Sequence, residues 1–270
     1  MIEIKTDTHM HTLASGHAYS TIEENIITAS KRGLELIGIT DHFSELFVSS
    51  VDSASFGYYS NKKALPPVWH GVRLLFGTEA DIVDLDGHLF GWNRKVRFGP
   101  QEGPSFKELY LDKLDYIIAS VHFNTFTKDA SLTRTTEMYV KALDDPKVKV
   151  LGHIGRARVP FDMDTVLLHA KELGKMIEIN EGSFIYPDAV PICRNIAIRC
   201  AELGTKITVS SDAHSAFYVG RYPEARKMLE EIHFPEELIV SRNKNSFLDA
   251  VGIPDAPKEA YEENWELYGL

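Results

Sequence analysis

No run of eighteen apolar residues occurs anywhere in the 270-residue chain, so nothing in it reads as a membrane-spanning helix. Its opening residues, MIEIKTDTHMH, hold no apolar signal segment, and the expected location is the cytoplasm. Cysteine is scarce, with only Cys193 and Cys200 present. Both fall in a stretch that reads as one helix, where a rise of ~1.5 Å per residue sets them roughly 10 Å apart, too far for a disulfide. Two reduced, buried thiols fit a reducing compartment. Positive charge is also short, at 29 Lys and Arg against 39 Asp and Glu, a net charge of −10. A nucleic-acid partner wants a basic face and is not expected, although bound cations would reverse the sign locally. A fixed-period repeat, a low-complexity linker and a Gly-rich phosphate loop after the first strand are all missing.

What is present is an alternation of apolar runs and helical stretches. The strands read as Ile2 to His9, LELIGITDH, VRLLFGTEADIV with HLFGW as a short strand beside it, LDYIIASVH, VKVLGHI, KMIEIN and TKITVSSDAH. Between them AYSTIEENIITASKRG, DMDTVLLHAKELG, PDAVPICRNIAIRCAELG and YPEARKMLEEI read as helices. The first of these opens on a capping box of Ser20 and Glu23. Roughly seven βα units argue for a parallel sheet, and the missing phosphate loop argues for a barrel over a dinucleotide fold. The expected organisation is one α/β barrel domain over residues 1–253 with a polar surface tail over 254–270. The loop from about Phe43 to Val72 is long enough to suggest a functional role.

The histidines fall on this map in a pattern. His9 and His11, two apart on a strand, point to one side. His42, His122, His153 and His214 close four further strands, and His17 lies in the loop after the first. In a βα barrel all strand ends meet at one face, where active sites are built. Two acids join them: Glu79 ends the third strand, and Asp212 shares the side of His214. Nine such groups left uncompensated would cost several kcal/mol; bound metal ions resolve that cost. His169 and His233 read as surface residues and His70 as a loop residue. His88 follows an Asp-Gly turn near the third strand and is a candidate substrate contact.

The segments DTHMHTLASGHAYS, GITDH, GTEADI, SVH, GHIG and SSDAH resemble the motifs of the PHP (polymerase and histidinol phosphatase) superfamily. HTLASGHAYST, EINEGS, SDAHSAF and FPEELIV are especially similar to its YcdX-like phosphatase branch. The resemblance implies a distorted (β/α)7 barrel holding three divalent ions of zinc, manganese or iron. It implies that His9, His11, Glu79 and Asp212 hold one ion, and that Glu79 bridges to a second held with His122 and His153. The third falls to His17, His42 and His214. It also implies a homo-oligomer, a trimer in some members.

Bridged ions lower the pKa of water and offset charge on phosphoryl oxygens, so Glu79 and Asp212 are candidate catalytic residues. Asp41, beside His42, either orients a ligand or holds a proton, or else caps its strand end. Arg156, Arg158 and Arg221 follow ligand positions and offer bidentate forks for phosphate. The expected function is a phosphatase acting on a small phosphate monoester. The alternatives are a phosphodiesterase or 3′-5′ exonuclease, a histidinol-phosphate phosphatase, and a metal-binding regulator without turnover. The loop after His153 departs from that of dedicated histidinol phosphatases, which counts against that substrate. An amidohydrolase would want a lysine where this chain has SVH.

Overall fold

The computed structural model describes residues 2–44, 57–98 and 101–262. Its strands are β1 (Thr6–Met10), β2 (Leu36–Ile39), β3 (His42–Phe43), β4 (Val68–Trp69), β5 (Val72–Phe76), β6 (Thr78–Asp81), β7 (Lys95–Phe98), β8 (Gln101–Ser105), β9 (Ile117–Ser120), β10 (Val148–Leu151), β11 (Met176–Asn180) and β12 (Ile207–Ser210). The fold is α/β with mostly parallel strands. One sheet has the order β1-β2-β5-β4 and a second β12-β11-β10-β9-β6-β3. Among these pairings only β4 with β5 is antiparallel; β7 and β8 form a separate antiparallel ribbon.

Two chain segments serve both sheets, because β2 runs on into β3 and β5 into β6. The second transition turns at Gly77, whose N–H donates to the Ile39 carbonyl at 2.9 Å. A Cβ there would lie 2.9 Å from the Tyr116 carbonyl oxygen, so only glycine fits the bend. At the other margin β1 meets the residues after β12. Met10 and Ala213 form a parallel bridge, His11 N–H donates to Ala213 O at 2.8 Å, and Asp212 N–H donates to His9 O at 2.9 Å.

One face of the strands changes character along its length. On it Leu36, Leu75, Ile118, Val150 and Met176 pack in one apolar cluster with Tyr116, Phe247 and Leu248. Two residues further on, the same face presents Gly38, Ser120, Gly152 and Glu178. The apolar end closes the core and the polar end is left for chemistry. Cys193 and Cys200 are buried free thiols on the helix Val190–Leu203. No helix among the described residues is long and apolar enough to cross a membrane.

Several local expectations shift. The capping box of the helix Ile22–Lys31 is Thr21 with Glu24, one residue later than the expected Ser20 with Glu23. Thr21 Oγ1 accepts from Glu24 N–H at 3.2 Å, and Glu24 Oε2 accepts from Thr21 N–H at 2.8 Å. Ser20 Oγ is used elsewhere, accepting from Ala216 N–H at 2.7 Å. The helix buries Asn25, Ile26 and Ala29 on its core side. Thr21→Ala is expected to lower stability by about 1 kcal/mol, read as a lower Tm, while Ser20→Ala leaves this helix cap intact.

HLFGW does not form a strand; only Leu89 bridges back to Ile82. The helix Leu132–Asp144 was not singled out by the sequence pattern, because its buried face includes Thr135, Thr136 and Tyr139. Of the 43–72 loop, residues 45–56 lie outside the described residues. Of the tail, residues 254–262 are described, with Lys244 Nζ pairing to Asp255 at 2.6 Å.

Candidate metal centre

The strand ends bring all nine clustered side chains to one place, with Glu79 at the middle. Its Oε2 lies 3.2 Å from His9 Nε2, 3.5 Å from His11 Nε2 and 3.0 Å from His42 Nδ1. Its Oε1 lies 2.7 Å from His153 Nε2, 3.4 Å from His122 Nε2 and 2.7 Å from Ser120 Oγ. Strand pairing explains the convergence, since His42 sits directly opposite Glu79 across the β3–β6 ladder. His9 and His11 turn their rings to one side, with centroids 5.2 Å apart. Both reach Asp212 Oδ1, at 3.5 and 3.0 Å. His17 and His214 complete the outer side with Nε2 atoms 2.7 Å apart.

Among the described residues three overlapping groups have donor atoms close enough to share a cation: His11 with His42 and His214; His9 with His11 and Asp212; His42 with Glu79 and His122. His11 and His42 each belong to two of them, so the groups form one continuous cluster.

A layer of partners behind these side chains fixes their directions. Glu178 accepts from His9 Nδ1 at 2.6 Å and from His153 N–H at 2.7 Å, and also bonds Ser210 Oγ. Asp81 accepts from His122 Nδ1 at 2.6 Å, and Ser15 Oγ meets His11 Nδ1 at 3.0 Å. Asp7 ties β1 to the loop after β12, accepting from Ser211 N–H at 3.0 Å and Gly220 N–H at 2.7 Å. Sequence reasoning missed Glu178, Asp81 and Asp7. An acid inside a fully buried strand was the signal for Glu178, since its neighbours Ile177 and Ile179 are equally buried.

Asp41 does not touch the His42 ring among its hydrogen bonds. Its carboxylate accepts from Thr12 N–H and Ser15 Oγ at 2.6 Å each, from Thr12 Oγ1 at 2.7 Å and from Tyr58 OH at 2.8 Å. Through Ser15 it bears on His11. Arg156 spans the site, with Nη2 donating to Asp212 Oδ2 at 2.6 Å and Nη1 to Asn180 Oδ1 at 3.0 Å. It passes over Gly182, where a Cβ would fall 2.9 Å from Nη1.

Arg158 lies at the rim, donating to Asp188. Arg221 packs over the Phe217 ring at 4.6 Å. His88 is held away from the cluster, stacked on Trp92 at 3.8 Å and bonded to Asp84. Asp212, His153 and Arg158 have left-handed φ angles of 55°, 31° and 55°. Non-glycine residues adopt such angles at a cost of about 1–3 kcal/mol, mostly at functional sites.

The electrostatics follow from burial set against charge. Burial alone would raise the Glu79 carboxyl, but His122, His9 and His42 hold it well below its usual range. Asp212 is likewise depressed by His9 and Arg156 against its burial. Burial disfavours a charged His9, yet Glu178, Glu79 and Asp212 raise it well above an ordinary imidazole. His122 is raised to about 10 by Glu79 and Asp81, again against burial. Burial lowers His11, His17 and His153, helped by the neighbouring imidazoles and, for His153, by Arg156. The cluster therefore attracts positive charge, whether protons or metal ions. Its donors are nitrogen and oxygen only, a set that suits zinc, manganese or iron.

The chain is similar to known proteins. The region 7–184 matches the PHP domain family. A protein of Caldanaerobacter subterraneus subsp. tengcongensis named "Probable phosphatase" is 39% identical over 242 residues, covering 89% of this chain and 88% of the relative. One of the same name from Clostridium botulinum (strain Langeland) is 38% identical over 244 residues, covering 90% and 92%. The crystal structure of histidinol phosphate phosphatase from Lactococcus lactis, complexed with zinc, L-histidinol and phosphate, aligns with a TM-score of 0.53. That alignment has 17% identity and covers 86% of this chain and 94% of the other, a likeness of fold. With a match that spans the chain from Asp7 through Glu79 to His153, this chain belongs to the PHP domain family.

Proposed function

We propose that the chain is a metal-dependent phosphatase that hydrolyses a small phosphate monoester at this cluster, with three divalent transition-metal ions as cofactors. The observation that carries the reading is Glu79, a fully buried carboxylate whose two oxygens face histidines on opposite sides. His9 Nε2 and Glu79 Oε2 are buried without a hydrogen bond, which is what residues built around a cation would show. The relatives' names and the zinc and phosphate bound by the Lactococcus enzyme point the same way. We also infer that the strand ladder closes into one seven-stranded barrel, on the strength of the hydrogen bonds that join β1 to the residues after β12.

In this reading His9, His11, Glu79 and Asp212 would hold one ion, Glu79 with His122 and His153 a second, and His17, His42 and His214 the third. Such ions supply hydroxide near neutral pH and neutralise the charge on a phosphoryl group. The protein's own part is to hold that constellation rigid. Glu178, Asp81 and the Asp41–Ser15 pair set the imidazole tautomers. Arg156 anchors Asp212 and adds positive charge beside the phosphoryl position. Arg158 is a rim cation whose solvent-exposed pairing with Asp188 is weak and can exchange for phosphate. Arg221 and His88 are assigned no contact with the substrate.

The reading is tested with protein loaded separately with zinc, manganese and iron, assayed on p-nitrophenyl phosphate, bis-p-nitrophenyl phosphate and a single-stranded oligonucleotide. The monoester is expected to turn over fastest. Faster cleavage of the oligonucleotide would replace the reading with an exonuclease.

Acid should release the ions. Imidazoles bind metal only when neutral, so activity and bound metal are expected to fall together on acidification, with protons competing first at His9 and His122, which their carboxylate neighbours raise. Metal uptake at pH 7 should also expel protons, because His9 and His122 are held protonated by their carboxylate neighbours. Calorimetry in two buffers of different ionisation enthalpy reads that release, and an identical heat in both would count against it.

A further inference from the structure

The cavity beside the cluster is larger than a phosphate needs. It encloses about 530 Å³, within the roughly 300–1,000 Å³ of pockets that take whole organic ligands. His122, His153, Asp212 and His214 line one part of it, and Ile185, Tyr186 and Ala189 line another. Ile185 is 73% exposed and Tyr186 is 43% exposed, although both stand on a well-tied turn after β11. Tyr186 N–H donates to Ser183 O at 3.2 Å, and Ala189 N–H donates to Tyr186 O at 2.9 Å.

Several polar side chains that share the cavity also bond within the protein. The Asn124 amide donates to Ala157 O at 3.1 Å, Arg156 bonds Asp212 and Asn180, and Arg158 bonds Asp188. The side chains of Ile185 and Ala189 offer a polyhydroxylated alcohol no hydrogen-bond partner. A flat apolar ring would find a ready surface, and aromatic side chains hold such rings by stacking.

We propose that the alcohol portion of the ester carries an aromatic ring, and that Tyr186, flanked by Ile185, is the platform on which that ring stacks. The proposal rests on the phosphatase reading and adds the substrate class to it. The reaction is simple hydrolysis: water adds to phosphorus, the P–O bond to the alcohol breaks, and the aromatic alcohol and inorganic phosphate leave. Nucleoside 5′-monophosphates and arylalkyl phosphates both have the required chemistry.

Two matched pairs test it. Adenosine 5′-monophosphate is compared with ribose 5-phosphate, and 2-phenylethyl phosphate with butyl phosphate. Each pair loses a primary alkoxide, so the difference reads the ring and not the bond. The aromatic member is expected to have a kcat/KM roughly tenfold higher, the scale of one stacked ring, mainly through KM. Tyr186→Ala should bring the ratio close to one, and Tyr186→Phe should keep it. A preference in both pairs supports a general ring platform, and one confined to the nucleotide pair supports a nucleobase.

Calorimetric binding of 2-phenylethylphosphonate against butylphosphonate gives the same comparison without turnover. Equal turnover and equal binding within the pairs, or a ratio that Tyr186→Ala leaves unchanged, would overturn the platform and leave the phosphatase reading standing. Preferential binding of the aromatic phosphonate with no hydrolysis of any ester would do the reverse.

Discussion

Glu79→Gln is expected to cut kcat/KM on an aryl phosphate by more than ~100-fold, the upper edge of what losing an orienting partner costs. The argument is geometric. One oxygen of Glu79 lies among His9, His11 and His42, and the other between His153 and His122. An amide keeps the size but replaces one of these oxygens with an NH2 group, which cannot ligate a cation and would point a donor at an imidazole. The substitution therefore removes negative charge and one of the two faces together. Bound metal should fall with the rate. His88→Ala is the control: that ring stacks on Trp92 outside the cluster, and its loss should leave the rate near that of the unsubstituted protein. Equal losses from the two changes would mean that Glu79 is not the shared centre.

Glu178→Gln is expected to weaken metal affinity or activity by roughly 10- to 100-fold, although Glu178 touches no substrate in this account. Its carboxylate accepts from His9 Nδ1, from His153 N–H and from Ser210 Oγ. A glutamine has a single oxygen for these donors and turns its NH2 toward one of them. His9 and His153 come from different strands, so both lose their alignment at once. Because this is a positioning effect, it should appear as a weaker metal dissociation constant, with partial recovery of rate at high metal concentration. A loss of rate with unchanged metal affinity would reject the positioning role.

Much of this arrangement could be read from the sequence because it is written at strand ends. Short apolar runs that each stop on His or Glu mark where a parallel strand leaves the core. The common fate of parallel strands then brings His42, Glu79, His122 and His153 to one face. The residues behind them were harder to see. Glu178 lies between Ile177 and Ile179 in an alternating strand, and alternation ordinarily places the polar residue in water. Here the polar face points inward, since it supports the cluster, and Glu178 is buried. Asp7 and Asp81 were hidden for the same reason.

Turn chemistry accounts for two other departures. The helix start slipped by one residue because Ser20 and Thr21 both stand three before a glutamate, and only the tertiary bond from Ala216 to Ser20 distinguishes them. The DGH turn holds His88 on Asp84, with the Asp84 carboxylate accepting from both the His88 N–H and its Nδ1. A residue near the site in sequence is thereby kept out of it in space.

Elemental analysis of the purified chain after metal supplementation bears most directly on the central claim. The nine convergent side chains, seven of which fall in the three overlapping donor groups among the described residues, lead to an expected content of about three transition-metal ions per chain, with activity lost when a chelator removes them and regained on their return. Fewer than one ion per chain under those conditions, with hydrolysis of the aryl phosphate unaffected by the chelator, would contradict it.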